Sequence, residues 1–304
     1  MKFGVREICD IVLKAKADVV IGNQKFSKDE PVIYFDTAKT STVEGAATTV
    51  YATGGKGNAR LIAWEGERTV TFTMEDALMS PLGFSILSGA GIVDAGKEAA
   101  LNVHMTTRMV GKVTSNAMTI ELAPYLPKGS KMNQDIEVHG FMLDATGNIV
   151  KRMGKVKASG GTANSQCKFS NLTGISNGDY QILLDYYVTA QGGVQQIEIT
   201  PDKFAGNYYL EAETLFRRQD TGEDMPAQFI IPNVKIQSAF NFSMASSGDP
   251  STFTFTMDAF PDYTRFDTSK KVLFALQIID KPAMEAAAGR EMLSADFGLN
   301  RQGK

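Results

Sequence analysis

Between residues 68 and 89 the order of apolar and polar positions gives the backbone three instructions in succession. Val70, Phe72 and Met74 alternate with Thr69, Thr71 and Thr73, the period of two that lays an apolar row on one face of a strand and a threonine row on the other. Glu75 and Asp76 end the alternation. Neighbours in a strand point to opposite faces, so this pair suits a corner better than a site of two cooperating carboxylates. Ser80 before Pro81 is an N-cap with proline in the first helical turn. Leu82, Phe84, Ile86 and Leu87 supply the packed side of a helix of about two turns, and Gly89 and Gly91 stop it. The strand half has an echo far downstream, where residues 254–260 read TFTMDAF against TFTMEDAL at 71–78.

The same reading of period and turn residues predicts strands along most of the chain. A short helical turn is expected around Val5 and Ile8, a strand over 10–17, and two or three short strands between 18 and 35. Residues 36–48, DTAKTSTVEGAAT, have no apolar face and read as an exposed loop. Residues 50–53 form a strand that runs into Gly54, Gly55, Lys56, Gly57 and Asn58. A phosphate loop needs Ser or Thr after the lysine and then a helix, whereas Lys56 is followed by Gly57 and a strand; a sharp turn fits better. Residues 59–64 and 68–74 read as strands joined by a tight turn at Glu65-Gly66-Glu67, with Trp64 as a packing anchor. From 101 to 231, strands of moderate length succeed one another between turns such as Asp144-Ala145-Thr146-Gly147-Asn148, the spacing of a sandwich or barrel. Residues 234–244, with Phe240, Phe242 and Met244, and residues 253–257, with Phe253, Phe255 and Met257 alternating with Thr254 and Thr256, read as a second hairpin. A further strand is expected over 271–280. Helix formers follow at 283–293, weakened by Gly289, and the polar end is expected to be disordered.

Composition narrows the functional classes. In 304 residues, 43% hydrophobic and 21% charged, there is material for a substantial core. Eighteen Phe and fourteen Met beside one Trp suit broad apolar faces between sheets or subunits. A net charge of −3 weighs against a dominant attraction to nucleic acid or an anionic membrane. No run approaches the roughly 18 apolar residues of a membrane helix, and the first residues lack the pattern of a secretory signal, so a soluble protein made in a cytoplasm, without membrane insertion, is expected. Cys9 and Cys167 read as two buried free thiols. His104 and His139 each sit within a strand, in neither an HxH nor an HxxxH pattern; a metal site completed by Asp135 or Glu137 is the sharper reading, ordinary histidines the simpler one. There is no G-x-S-x-G elbow, and Ser165-Gln166-Cys167 has no nearby histidine. Arg217-Arg218 and Lys151-Arg152 are too small a cluster for a nucleic-acid face. The residues thus point to no catalytic, cofactor or metal site.

The two hairpins carry the positive evidence. Residues 51–91, YATGGKGNARLIAWEGERTVTFTMEDALMSPLGFSILSGAG, with residues 231–262, IPNVKIQSAFNFSMASSGDPSTFTFTMDAFPD, resemble structural proteins of tailed bacteriophages, most closely the tail tube (major tail) proteins. The resemblance covers about half of the chain and rests on strand texture and recurrent phrases. It implies a non-enzymatic, mainly β protein without cofactor: a tail-tube-like β-sandwich or barrel with two long hairpins and a short helix, whose hairpins join those of neighbours around a lumen in stacked rings. Carried over, residues 59–74 and 237–258 would line the lumen and residues 80–88 form the helix outside. Thr69, Thr71, Thr73, Thr254 and Thr256 would face the lumen as a polar, weakly charged wall. Val70, Phe72, Met74, Phe240, Phe242, Phe253, Phe255 and Met257 would pack or assemble behind it. Residues 36–48 and the polar tail would make contacts between rings.

The domain organisation expected is a tube-like domain over 1–100 and 231–281, an inserted β-rich domain, immunoglobulin-like in texture, over 101–230, and a C-terminal tail over 282–304. Two fused tube domains, three subunits then making a six-fold ring, are the alternative. The implied partners are further copies of the chain, the tape measure, baseplate and sheath proteins of a phage tail, and DNA in non-specific passage. The implied place is the virion tail, assembled in the bacterial host cytoplasm. Competing readings are another virion component, capsid or baseplate, and a carbohydrate-binding β-sandwich.

Overall fold

A computed structural model describes residues 2–5, 7–22, 24–96, 100–122, 130–131, 137–158, 166–242, 244, 246–247 and 252–279. The expected tail helix at 283–293 and the polar end lie outside the described residues. The chain forms two compact units, one of residues 1–91 with 199–304 and one of residues 92–198. Strands dominate both.

The first unit opens with β1 (Phe3–Val5), β2 (Asp10–Ala15), β3 (Val19–Ile21), β4 (Gln24–Phe26) and β5 (Pro31–Phe35). The long β6 (Ala38–Gly54) and β7 (Ala59–Asp76) follow, then α1 (Pro81–Ser88), the one helix among the described residues. The second unit takes β8 (Gly91–Asp94), β9 (Leu101–Val113), β10 (Met118–Glu121), β11 (Ser130–Lys131), β12 (Glu137–Leu143), β13 (Ile149–Lys157), β14 (Gln166–Phe169), β15 (Gly178–Ala190) and β16 (Gln195–Glu198). The chain then returns to the first unit with β17 (Asn207–Arg218), β18 (Asp224–Ile236), β19 (Phe253–Ala259) and β20 (Ala275–Ile278).

One sheet organises the first unit. Its strands run β5-β2-β17-β18-β19-β7-β6, with β1 also on β17 and β20 on β18. Six strand spacings separate β5 from β6, about 29 Å in a flat sheet at ~4.8 Å each. Yet only Asp36 and Thr37 join the two strands, and three Cα steps reach about 11 Å at most. The sheet must therefore curl until its ends approach. Contacts across the interior agree: the Phe35 ring of β5 lies 4.9 Å from the Phe255 ring of β19, and the Cys9 amide donates to Ser41 Oγ of β6 at 3.3 Å. Ile11, Leu13, Phe72, Met74, Leu210, Val234 and Met257 fill the inside of the curl, all buried.

The second unit has its own core. β9, β15, β12 and β13 lie side by side, β11 joins β15, and the β10–β14 ribbon stands apart from that sheet. Met118, Ile120, Cys167 and Phe169 from the ribbon meet Val138, Met142, Ile182, Leu184 and Tyr186 from the sheet in one apolar cluster.

At several points the structure departs from the sequence reading. Residues 3–5 are strand and not a helical turn. Residues 36–48 are not a loop: from Ala38 onward they belong to β6. That stretch shows no apolar period because neither face of its outer part is covered, and alternation marks only strands with one buried face. Glu65-Gly66-Glu67 is not a turn either. β7 runs through it, and three steps of β7 from Arg68 to Glu65 span two of β6 from Ala47 to Thr49, a β-bulge. Gly66 is needed there because a Cβ would come 2.5 Å from Thr48 Oγ1, the same oxygen that accepts from the Glu67 amide at 2.9 Å. The second hairpin is short: β18 stops at Ile236 and meets β19 only at Val234–Ile236, so Phe240 and Phe242 are not in a strand. Of 271–280, only Ala275–Ile278 is strand.

Candidate assembly surface

β6 and β7 form an antiparallel arm from Ala38 opposite Asp76 out to Gly54 opposite Ala59. Gly55, Gly57 and Asn58, all at positive φ (78°, 89° and 52°), close its tip. The base of the arm is covered, with Phe72 and Met74 at 0% exposure. Beyond it, residues 59–69 are exposed on both faces. A two-stranded ribbon with no covered face is marginal in water. Moreover β6 ends the order of the sheet, so its outer edge has no strand partner among the described residues. In 17 residues β6 carries two charges, Lys39 and Glu44, whereas the edge strand β13 carries Lys151, Arg152, Lys155 and Lys157 in nine. Lysine-rich edges repel added strands and apolar-neutral ones invite them. The β13 edge is guarded and the β6 edge is open.

At the base, the two echoing segments turn out to be neighbours. β19 pairs antiparallel with β7, Phe255 opposite Met74, Thr256 opposite Thr73 and Met257 opposite Phe72. All four of the Phe and Met side chains are buried in the subunit's own core, so of the apolar row these serve packing within the subunit. Val70 and Phe253 are half-buried. On the opposite face Thr71, Thr73 and Thr256 are half-exposed and Thr69 and Thr254 exposed. That face is more acidic than a threonine row suggests, because Glu44 and Asp258 both lie opposite Thr71 and Glu75 lies opposite Thr254. Asp258 accepts from Thr71 Oγ1 at 3.2 Å and Gln237 Nε2 at 2.9 Å. Asp76, on the other face, is buried and accepts the Thr37 hydroxyl. It forms the joint between arm and helix.

Past the bulge the arm carries apolar side chains instead. Val50 pairs with Trp64 and Ala52 with Ile62, which by alternation share one face. Val50, Ile62 and Trp64 are 62%, 56% and 53% exposed. Near the base, α1 is fixed by Ser80 Oγ, which accepts from the Gly83 amide at 2.9 Å, and by Gly89 at φ 72°. A Cβ on Gly89 would lie 2.3 Å from the Phe204 carbonyl carbon, so the chain at Phe204 packs directly on the helix end. Phe84 of α1 meets the rings of Phe240 at 5.1 Å and Phe242 at 5.2 Å, and Phe242 meets Phe253 at 5.4 Å. Phe240 and Phe242 remain 41% and 38% exposed, Phe204 69%.

Among the described residues the titratable groups gather into no metal-binding cluster. His104 Nε2 lies 2.7 Å from Asp185 Oδ2, its ring 5.0 Å from that of Tyr187, and His139 faces Asp185 across the strand pair. Among the described residues no three of His, Cys, Asp and Glu gather into a metal-binding group; Asp135 lies outside them. Cys9 and Cys167 are buried in different units. Burial pushes the Cys9 thiol up and the Cys167 thiol to about 12. Asp144 is held down to about 2 by the Thr146 hydroxyl and the Asn148 amide, and Asp220 to about 2 by the Arg218 guanidinium. Both belong to exposed turns. No helix among the described residues is long and apolar enough to cross a membrane.

In a comparison with known families, the model of the YomU/Tube protein family fits residues 12–272, a span that takes in the arm, α1 and the whole 92–198 unit. No curated protein matches the chain.

Proposed function

The chain belongs to the YomU/Tube protein family, a phage tube-type family of structural proteins and not of enzymes, and from that premise we propose that its copies assemble into stacked rings that form the tail tube of a virion, the conduit for DNA into the host. The observation that carries this reading is the arm. A long ribbon exposed on both faces, with an unguarded β6 edge, gains most when a strand of another copy pairs with it. The same contact repeated head to tail closes a ring. The face bearing Thr69, Thr71, Thr73, Thr254 and Thr256 suits a lumen. Its hydroxyls keep it wet, while Glu44, Glu75 and Asp258 repel phosphate and let a duplex pass without sticking. Further tail components, tape measure, baseplate and sheath, would meet the ends and outside of such a tube, and each subunit would bring the 92–198 unit with it.

Electron microscopy of the purified protein in negative stain tests the reading, with uniform hollow rods or rings expected. A monomer that persists at high concentration, by sedimentation velocity, refutes it. Gly45→Lys is the matched control, since a Cβ at Gly45 meets nothing within 4 Å: it adds a charge to the β6 edge and should suppress rods while leaving the monomer's thermal unfolding unchanged.

A further inference from the structure

We infer that the outer half of the arm is a plug, and that its apolar face of Val50, Ile62 and Trp64 docks on the aromatic patch beside α1, formed by Phe204, Phe240 and Phe242, of a second copy of this chain. This rests on the reading that copies assemble, and adds which surfaces meet. Three observations lead to it.

The arm changes character at one place. Inside the bulge at Gly66 the face bears threonines and carboxylates; beyond it the same face bears Val50, Ile62 and Trp64, all more than half exposed. A water-filled conduit gains nothing from an indole and two branched aliphatics, so this half is built to be covered. The second observation is a matching surface. Phe240 and Phe242 are held in fixed orientation by ring contacts with Phe84 and Phe253 yet stay more than a third exposed. Aromatic anchors held rigid and left open are the composition of an interface centre.

The third decides the occupant. Trp64 and Asp76 belong to one strand, β7, and the residue steps from one to the other span about 40 Å at ~3.3 Å each. α1 begins just after that strand's inner end. The plug and the patch therefore stand at opposite ends of a single element, which cannot fold back on itself while paired with β6. The plug of one copy therefore cannot reach its own patch, and the two surfaces meet between copies. Because the two surfaces differ, the contact is heterologous: every docking leaves one plug and one patch free, and the assembly goes on until a ring closes or a filament extends.

The single tryptophan of the chain sits in the plug and reports on it directly. On assembly of the full-length protein its emission is expected to shift to the blue as the indole leaves water. Trp64→Ala is expected to weaken association about thirtyfold or more, the effect of losing one interface anchor, with monomer melting unchanged because Trp64 is exposed there. Mixing an Ala52→Cys copy with an Asn241→Cys copy and adding a short bismaleimide should give a cross-linked dimer that neither copy gives alone, the native thiols being buried. Assembly with Trp64 still in water, or with cross-links from Ala52→Cys alone, overturns the plug and leaves the tube reading standing. Failure to assemble at any concentration overturns both.

Discussion

Phe255 is the side chain on which the curl of the first sheet most visibly depends. It is 2% exposed, lies opposite Met74 on the neighbouring strand, and touches Phe35 at the far end of the sheet order. Phe255→Ala removes the ring that ties β19 to β5. A buried Phe→Ala change costs about 3–5 kcal/mol in transfer and cavity terms, of which the ring pair supplies about 0.5–1.5. At ~1.4 kcal/mol per tenfold, amides that exchange by opening of the whole unit should exchange about a hundredfold to several thousandfold faster. Native-state hydrogen exchange resolved by strand is the assay. β2 and β17 should accelerate, while β9 and β15, in a unit with its own core, should keep their protection. Acceleration under about fivefold in β2 and β17, or an equal loss in β9 and β15, refutes the reasoning. Phe255→Asp would put a charge into this same buried layer. Its burial inside the subunit makes that substitution a test of folding, and the exposed Gly45 and Trp64 positions are the tests of assembly.

Three further outcomes follow from the local geometry. Gly89→Ala places a Cβ 2.3 Å from a backbone carbon at φ 72°; the left-handed conformation alone costs about 1–2 kcal/mol, so the thermal midpoint should fall by several degrees, and an unchanged midpoint would show that Phe204 does not pack on the helix end. With both thiols buried and raised, Cys167 to about 12, native protein at pH 8 should resist Ellman's reagent while urea-unfolded protein reacts at once. Asp144 and Asp220, held to about 2, and Asp262, lowered by Lys16, have depressed folded-state values. Their stabilisation is present above the ordinary carboxylate range and is lost as pH falls through the folded-state values. The urea midpoint should therefore decline between about pH 4 and pH 2, less steeply in Asp262→Asn.

What the sequence disclosed followed burial. Where one face meets a core, as in Asp10–Ala15 or Phe253–Ala259, alternation located the strand to within a residue or two, and the Ser80-Pro81 cap and Gly89 bounded α1. Where no face is covered the signal vanishes. Residues 36–48 looked like loop because β6, the strand they open, has almost no covered face along its length. Gly66 looked like a turn because sequence shows that a residue lacks a side chain, not whether Thr48 or solvent occupies the space. The aromatic alternation at 240–244 looked like strand, but those rings pack on Phe84 of a helix, a contact that no local period encodes. The acidic residues of the threonine face were visible individually; only the register of β6, β7 and β19 puts Glu44, Thr71 and Asp258 in one line.

The pairing of β7 with β19 has a cost in time. Thr71 and Asp258, which share a hydrogen bond, are 187 residues apart. At a synthesis rate of about 5–20 residues per second, β7 leaves the ribosome roughly ten to forty seconds before its partner exists. During that interval Phe72 and Met74 are uncovered, on a strand whose complement is nearly a copy of itself and is present on every finished neighbour. The 92–198 unit, with a complete core of its own, can fold in the meantime and keeps half of the intervening chain out of the way. Nascent chains on crowded polysomes are thus exposed to mispairing at this one ladder, and slower synthesis after residue 76 should raise the yield of strand-exchanged aggregates before it affects anything else.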